Sequence, residues 1–210
     1  DGYDIVVAVD MFNTDTVSCT FDKQPWDESV LTFSQVKEAV EKWNNISPCV
    51  KIVCKKLSDV SSDDYVICII ADAEYGRKIV SSGAPGFMLP VINYEEKEGT
   101  EANNNSDWTR STVYICTGML ERLYTSIKTR QAVITHEIGH ALKLRHVIEE
   151  EEYIYNETLG YYRTFPSMMS EIRLQDTTNN YTDSLEYTAS DYITNYDKSA
   201  LKYKWENLIR

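Results

Sequence analysis

Histidine is scarce in this chain. Three occur in 210 residues, His136, His140 and His146, and all fall in one short stretch. Cysteine is sparse as well: Cys19, Cys49, Cys54, Cys68 and Cys116 are odd in number, which excludes complete pairing within one chain. No C-x-x-C occurs and no cysteine lies near the histidines, so nothing supports a thiolate metal or redox motif. Cys49 and Cys54 stand an odd number of residues apart in a strand-like run, face opposite sides of it and should not bridge directly. Cys68 and Cys116 lie in apolar strand patterns and read as small buried hydrophobes. No run of 18 apolar residues and no signal-peptide pattern is present, so no membrane span is expected. Basic residues are outnumbered 21 to 33, and the net charge of −12 argues against nucleic acid or an anionic membrane as a partner. The surplus reads most simply as a solvated acidic surface.

What is present is an ordinary globular composition. Hydrophobic residues at 42% and charged residues at 26% suffice for a packed core under a polar surface. The length suits one domain over residues 1–210, with room for two subdomains around a cleft. A start at Asp1 instead of Met is expected of a trimmed or mature form.

The informative stretch is Thr135-His136-Glu137-Ile138-Gly139-His140-Ala141-Leu142-Lys143-Leu144-Arg145-His146. Its H-E-x-x-H core puts two imidazoles on one helix face, about one turn apart. Both can then reach one metal ion at roughly 2.0–2.1 Å. Glu137 points about 100° away from His136, beside the metal and outside its coordination shell. In a continuing helix His146 would lie roughly 9 Å beyond His140 and about 120° off its face. The helix therefore has to stop, and the chain has to turn back. Three His ligands with one open position make a catalytic shell, whereas a structural zinc has four protein ligands. The bland alternative is a surface helix that carries histidines by accident. It leaves unexplained the apolar face of Val133, Ile134, Ile138, Ala141 and Leu142, and the spacing of the third His.

Along the chain, residues 3–10 predict a buried strand. Thr32 to Ile46 predicts a helix opening on a Thr32-x-x-Gln35 capping box, with Phe33, Val36, Val40 and Trp43 as its apolar stripe. Asn44-Asn45 and Pro48 end it. Strands are expected at about 49–56, 64–72 and 112–117. Residues 82–92 hold two prolines and two glycines around Phe87, Met88 and Leu89, which predicts an edge strand or loop. An edge beside a cleft can pair with an extended peptide. Residues 95–107 read as an exposed loop. A helix at about 118–128 precedes the histidine-bearing helix, expected from Thr129 to Lys143. Glu149–Glu152 reads first as a solvated loop, with a bias toward basic substrates or Ca2+ binding as lesser readings. A last helix is expected at about 190–208, capped by Ser190 or Asp191, with Ile193, Tyr196, Ala200, Leu201 and Trp205 on its apolar side.

Taken together, these residues resemble the metzincin zinc peptidases, and among them the matrixins, the matrix-metalloproteinase-like catalytic domains. His136-Glu137-Ile138-Gly139-His140-Ala141-Leu142 followed by His146 is similar to their long zinc signature. Ser167-Met168-Met169-Ser170 resembles the Met-turn, whose methionine lies beneath the metal; Met169 matches it by position. Trp43-Asn44-Asn45-Ile46-Ser47-Pro48 is similar to the junction of the first helix and second strand. Ala84-Pro85-Gly86-Phe87-Met88-Leu89-Pro90 sits where the family has its substrate-pairing edge strand, and Trp108-Thr109 also has a matrixin-like position. The matches span about residues 35–170.

The chain also departs from the family pattern. Lys143 replaces the glycine of H-E-x-x-H-x-x-G-x-x-H. At positive φ a lysine would cost about 1 kcal/mol, so a locally different turn is expected. No histidine is spare for the second, structural zinc of matrixins. Glu171 stands where astacin-like members have a metal-binding Tyr. The 22 residues between His146 and Met169 exceed the matrixin connection and suggest an insertion near the primed side of the cleft.

The resemblance implies an α+β fold. A twisted mixed five-stranded sheet with helices would lie above an active-site cleft, in about residues 1–146. A smaller C-terminal subdomain, about 147–210, would carry the Met-turn and terminal helix. The implied function is a monomeric, secreted or cell-surface zinc endopeptidase acting on protein or peptide substrates. His136, His140 and His146 would hold one Zn2+ as neutral imidazoles. Glu137 would take a proton from the zinc-bound water and pass it to the leaving amine. Met169 would support the site, and Gly86, Phe87, Met88 and Leu89 would pair with an extended substrate. Two alternatives stay open: Glu157 as a ligand in place of His146, and a non-catalytic or very narrowly specific binding protein on the same scaffold.

Overall fold

The computed structural model describes residues 3–9, 32–55, 60–61, 65–72, 85–97, 108–123, 127–146, 154–156, 161–163, 167–169 and 193–207. Cys19, Glu149–Glu152, Glu157, Glu171, Ser190 and Asp191 lie outside the described residues. The elements run β1 (Tyr3–Val9), α1 (Phe33–Glu41), β2 (Val50–Lys55), β3 (Tyr65–Asp72), β4 (Gly86–Ile92), β5 (Glu95–Glu96), β6 (Arg110–Cys116), α2 (Thr117–Leu123), α3 (Ile127–Ala141), β7 (Ile154–Asn156), β8 (Tyr161–Arg163) and α4 (Asn195–Glu206).

The architecture is α+β around a mixed sheet in the order β2-β1-β3-β6-β4-β5. β1 pairs in parallel with β2 and β3, and β3 with β6. β4 runs antiparallel to β6, with Met88 opposite Val113. Val66, Ile67 and Ile69 of β3 and Val113 to Cys116 of β6 are buried. Such near-continuous apolar runs belong to inner strands covered on both faces.

The main sheet has six strands where five were expected. Asn93 and Tyr94, at φ 54° and 67°, turn the chain so that Glu95 and Glu96 pair with Ile92 and Val91. Two consecutive positive φ values are the mark of a type I′ hairpin. The usual glycine is missing there, so the sequence read as a loop. Pro90 fits inside β4 because its carbonyl accepts from Lys97 N–H at 3.0 Å. Its backbone thus faces away from β6, and its missing donor interrupts no bond to that strand.

α1 opens on the expected box: Thr32 N–H donates to Gln35 Oε1 at 2.7 Å and Gln35 N–H to Thr32 Oγ1 at 3.3 Å. It ends at Glu41, five residues earlier than expected, and a turn with Asn45 at φ 61° follows. The Asn44 amide then bonds both the N–H and the C=O of Ile52, at 2.7 and 3.0 Å. A side chain thereby satisfies part of the outer edge of β2.

Leu123 ends α2, and α3 starts at Ile127, two residues before the expected Thr129. α4 begins later than expected, with Thr194 as its cap and Asp197 completing the box. Trp205 Nε1 donates to the Leu142 carbonyl at 3.0 Å, which ties this last helix to the end of α3. Tyr196, expected on the apolar side, is 49% exposed. One core joins Val36, Val40 and Trp43 with the sheet, α3, Met168–Met169, Leu201 and Trp205. Within the long connection after His146, β7 and β8 form an antiparallel pair that the sequence did not suggest. Among the described residues no helix is long and apolar enough to cross a membrane.

Candidate metal centre

α3 runs through the core instead of lying on it. Every residue from Gln131 to Gly139 is buried. Trp43 packs beneath, its Nε1–H donating to the Thr135 carbonyl at 2.9 Å. A Cβ on Gly139 would collide with Met169 Sδ and lie 2.9 Å from Trp43 Cζ2. The glycine therefore lets Met169 sit directly under the helix at the level of the histidines.

The helix stops where the third histidine requires it. Lys143 N–H donates to the His140 carbonyl at 2.8 Å and Leu144 N–H to the Gly139 carbonyl at 3.0 Å. This pair of bonds is the Schellman motif, which places its C′ residue in the left-handed region. Lys143 is that residue, at φ 66°. The expected local difference is thus corrected: lysine takes the conformation that glycine would take. Lys143 Nζ lies 5.0 Å from the Trp108 ring centroid and 5.9 Å from that of Tyr65. Cation–π attraction of about 0.5–2 kcal/mol is of the size needed to offset about 1 kcal/mol of backbone strain.

The turn brings the three rings together. His136 Nε2 and His146 Nε2 are 3.0 Å apart, His140 and His136 3.1 Å, and His140 and His146 2.9 Å. His136 Nδ1 is 2.7 Å from the Met168 carbonyl, and His140 Nδ1 is 2.9 Å from the Leu144 carbonyl. A carbonyl only accepts, so each of these Nδ1 atoms carries the proton and each Nε2 presents a lone pair. Lone pairs meeting at this range repel; a cation among them removes the conflict. A tetrahedral shell with Zn–N near 2.0–2.1 Å spaces its nitrogens about 3.3 Å apart. The group His136, His140 and His146 could therefore hold a metal ion.

Burial tunes the same groups. Desolvation lowers the His136 pKa to about 4, against the raising effect of the Met168 carbonyl. Desolvation, with the other two histidines, lowers that of His140 to about 3. Both are neutral ligands at ordinary pH. Desolvation pushes the Glu137 carboxyl up to about 8. Glu137 packs against β4: a Cβ on Gly86 would lie 3.0 Å from Glu137 Cγ and 3.1 Å from Val133 Cγ1. Glycine at this one position brings the strand edge against the stem of Glu137.

Of the residues singled out from sequence, His136, Glu137, His140, His146, Met169 and Gly86 come together. Phe87 instead stacks on Tyr114 with centroids 5.0 Å apart, Leu89 is buried, and Met88 packs on the core. Sequence reasoning missed Ser167 and Asp197. Asp197, fully buried, accepts from Ser167 Oγ at 2.5 Å, Met168 N–H at 3.0 Å and Thr194 N–H at 2.8 Å. It holds the turn whose carbonyl orients His136. The signal was present as Thr194-x-x-Asp197, a box with Asp in place of Glu or Gln. Cys49 and Cys54 are not bridged to each other, although Cys49 stands in the turn before β2 and not in the strand. Neither protein-family models nor curated protein sequences match the chain.

Two outcomes follow for the metal-free protein. Lys143→Ala keeps the backbone strain and loses the ring contacts, whereas Lys143→Gly loses both. Urea denaturation should find Lys143→Gly more stable than Lys143→Ala by about 1 kcal/mol; equal stabilities would refute the left-handed turn. The second outcome concerns pH. Below 6.5 the unfolded chain takes up protons that native His136 and His140 refuse, so their contribution to stability falls with pH down to about 4 and 3. Between 4.5 and about 8, native Glu137 keeps a proton that the unfolded chain releases, so its contribution falls as pH rises. Glu137→Gln should therefore gain on wild type progressively from pH 4.5 to about 8 and keep the acid limb. A pH-independent difference would show that Glu137 does not titrate as its burial requires.

Proposed function

We propose that the chain is a zinc-dependent endopeptidase of the metzincin type, nearest to the matrixins, acting on protein or peptide substrates outside the cell. The carrying observation is the convergence of three histidine Nε2 atoms within 3.1 Å of one another, on and beyond a helix that also carries the buried Glu137. The mixed sheet and the Met168–Met169 turn beneath the histidines support it. A divalent cation held there supplies a Lewis acid that polarises a carbonyl, acidifies water and favours the ionised form of a nearby carboxylate; three neutral imidazoles suit Zn2+.

The chain's own groups do the rest. Glu137 accepts a proton at its carboxylate as water attacks the scissile carbonyl carbon, and delivers it to the departing amine nitrogen. The Met168 and Leu144 carbonyls hold the Nδ1 protons of His136 and His140 and so aim both Nε2 atoms. β4 holds the substrate extended. Cys116 N–H donates to the Pro85 carbonyl at 2.9 Å, so Pro85, Phe87 and Leu89 turn their backbone groups toward β6. Gly86 and Met88 turn theirs outward. These two residues supply the backbone bonds to the peptide.

Zinc content and peptide hydrolysis, measured together, test the reading. Glu137→Ala should keep one zinc per chain while hydrolysis of a peptide library drops roughly 10²–10⁴-fold. Undiminished hydrolysis would remove Glu137 from the role of base. Met88→Pro deletes one outward N–H and leaves the bonds to β6 intact. Compared with Met88→Ala, which loses the same packing on the core, it should raise KM about tenfold, the equivalent of one hydrogen bond. An unchanged KM would mean that substrate does not pair along β4.

A further inference from the structure

We infer that the β4–β5 hairpin is an end stop, limiting how many substrate residues pair along β4 on one side of the cleaved bond; this rests on the peptidase reading above. Gly86 lies against Glu137, so the reacting bond belongs at that end of the strand. From there the outward-facing positions are Gly86, Met88 and Pro90. Pro90 has no N–H to offer, and its carbonyl already accepts from Lys97 N–H at 3.0 Å. Immediately beyond, Val91 and Ile92 pair with Glu96 and Glu95. β5 therefore occupies the lane that an incoming strand would follow.

Strand geometry sets the length of that lane. At about 3.3 Å per residue, Met88 is roughly 7 Å and Pro90 roughly 13 Å from Gly86. A paired peptide meets the hairpin about four residues from Glu137. The stop is also held in place. Tyr114 Oη donates to Glu96 Oε1 at 2.7 Å, and Lys97 N–H reaches across the hairpin to the Pro90 carbonyl at 3.0 Å. Its turn keeps Tyr94 at φ 67° with the side chain 99% exposed. Side-chain burial does not repay that backbone conformation, so the tethers along β5 carry the hairpin.

The test uses zinc-loaded full chain and nested synthetic peptides that share one cleavage site and grow by one residue on either side. On one side, kcat/KM should stop rising, changing less than twofold per residue, after about four residues; on the other it should continue to rise. Glu96→Ala/Lys97→Pro, which releases two tethers, should move the early plateau outward by about two residues and leave the shortest peptide's rate unchanged. Lys97→Pro alone should shift it part of the way. Matching plateaus on both sides, or an unmoved plateau in both variants, overturns the end stop. Absence of hydrolysis of every peptide by the wild-type chain overturns the peptidase reading, and this inference with it.

Discussion

His136 Nδ1–H donates a hydrogen bond to the Met168 carbonyl, and the centre depends on that one direction of donation. It forces the lone pair onto Nε2, toward the other two rings. The carbonyl that accepts this bond is held by the main chain of a short turn. The turn is held by Asp197, a carboxylate buried at the start of α4 and supplied with four donors. A buried charge with so many partners is strongly localised, because removal of any one leaves a polar group unpaired in a dry site. The last helix, far along the chain from the histidines, thus fixes the electronic state of the first of them.

The histidine helix and its turn were largely legible in the sequence, because helical periodicity converts spacing directly into geometry. His136 and His140 had to share a face, and His146 had to lie beyond a reversal. The parallel strands were legible for a similar reason: their apolar runs, such as Val66 to Ile70, are bounded by polar residues. Less legible were features that local composition disguises. Asn93-Tyr94 makes a turn that ordinarily advertises itself by glycine. Lys143 occupies another left-handed position without glycine, and two aromatic rings remote in sequence compensate. Asp197 looked like one more acid in an acidic chain; only tertiary burial distinguishes it. Helix ends were displaced by several residues, because caps compete closely and packing of Leu201 and Trp205 decides which one is used.

The two borders of the sheet are treated differently. On the β2 side, the Asn44 amide imitates a neighbouring strand at Ile52 and closes part of the border. On the β4 side, among the described residues, the hairpin closes only Val91 and Ile92, and the run from Gly86 to Leu89 forms the border next to Glu137. An open border is ordinarily a hazard for aggregation. Here its short length and the flanking Pro85 and Pro90 contain that hazard. Under the proposed function, the same restriction that protects the fold would also define a docking lane.

Gly86 shows how a position without a side chain can set a tolerance. A methyl group at this position would lie 3.0 Å from Glu137 Cγ, a few tenths of an ångström inside ordinary contact. A larger side chain there would press on the stem of Glu137 while leaving the imidazoles untouched. Under the proposed function, ion binding and peptide attack would thus be separable, divided by the width of one carbon atom.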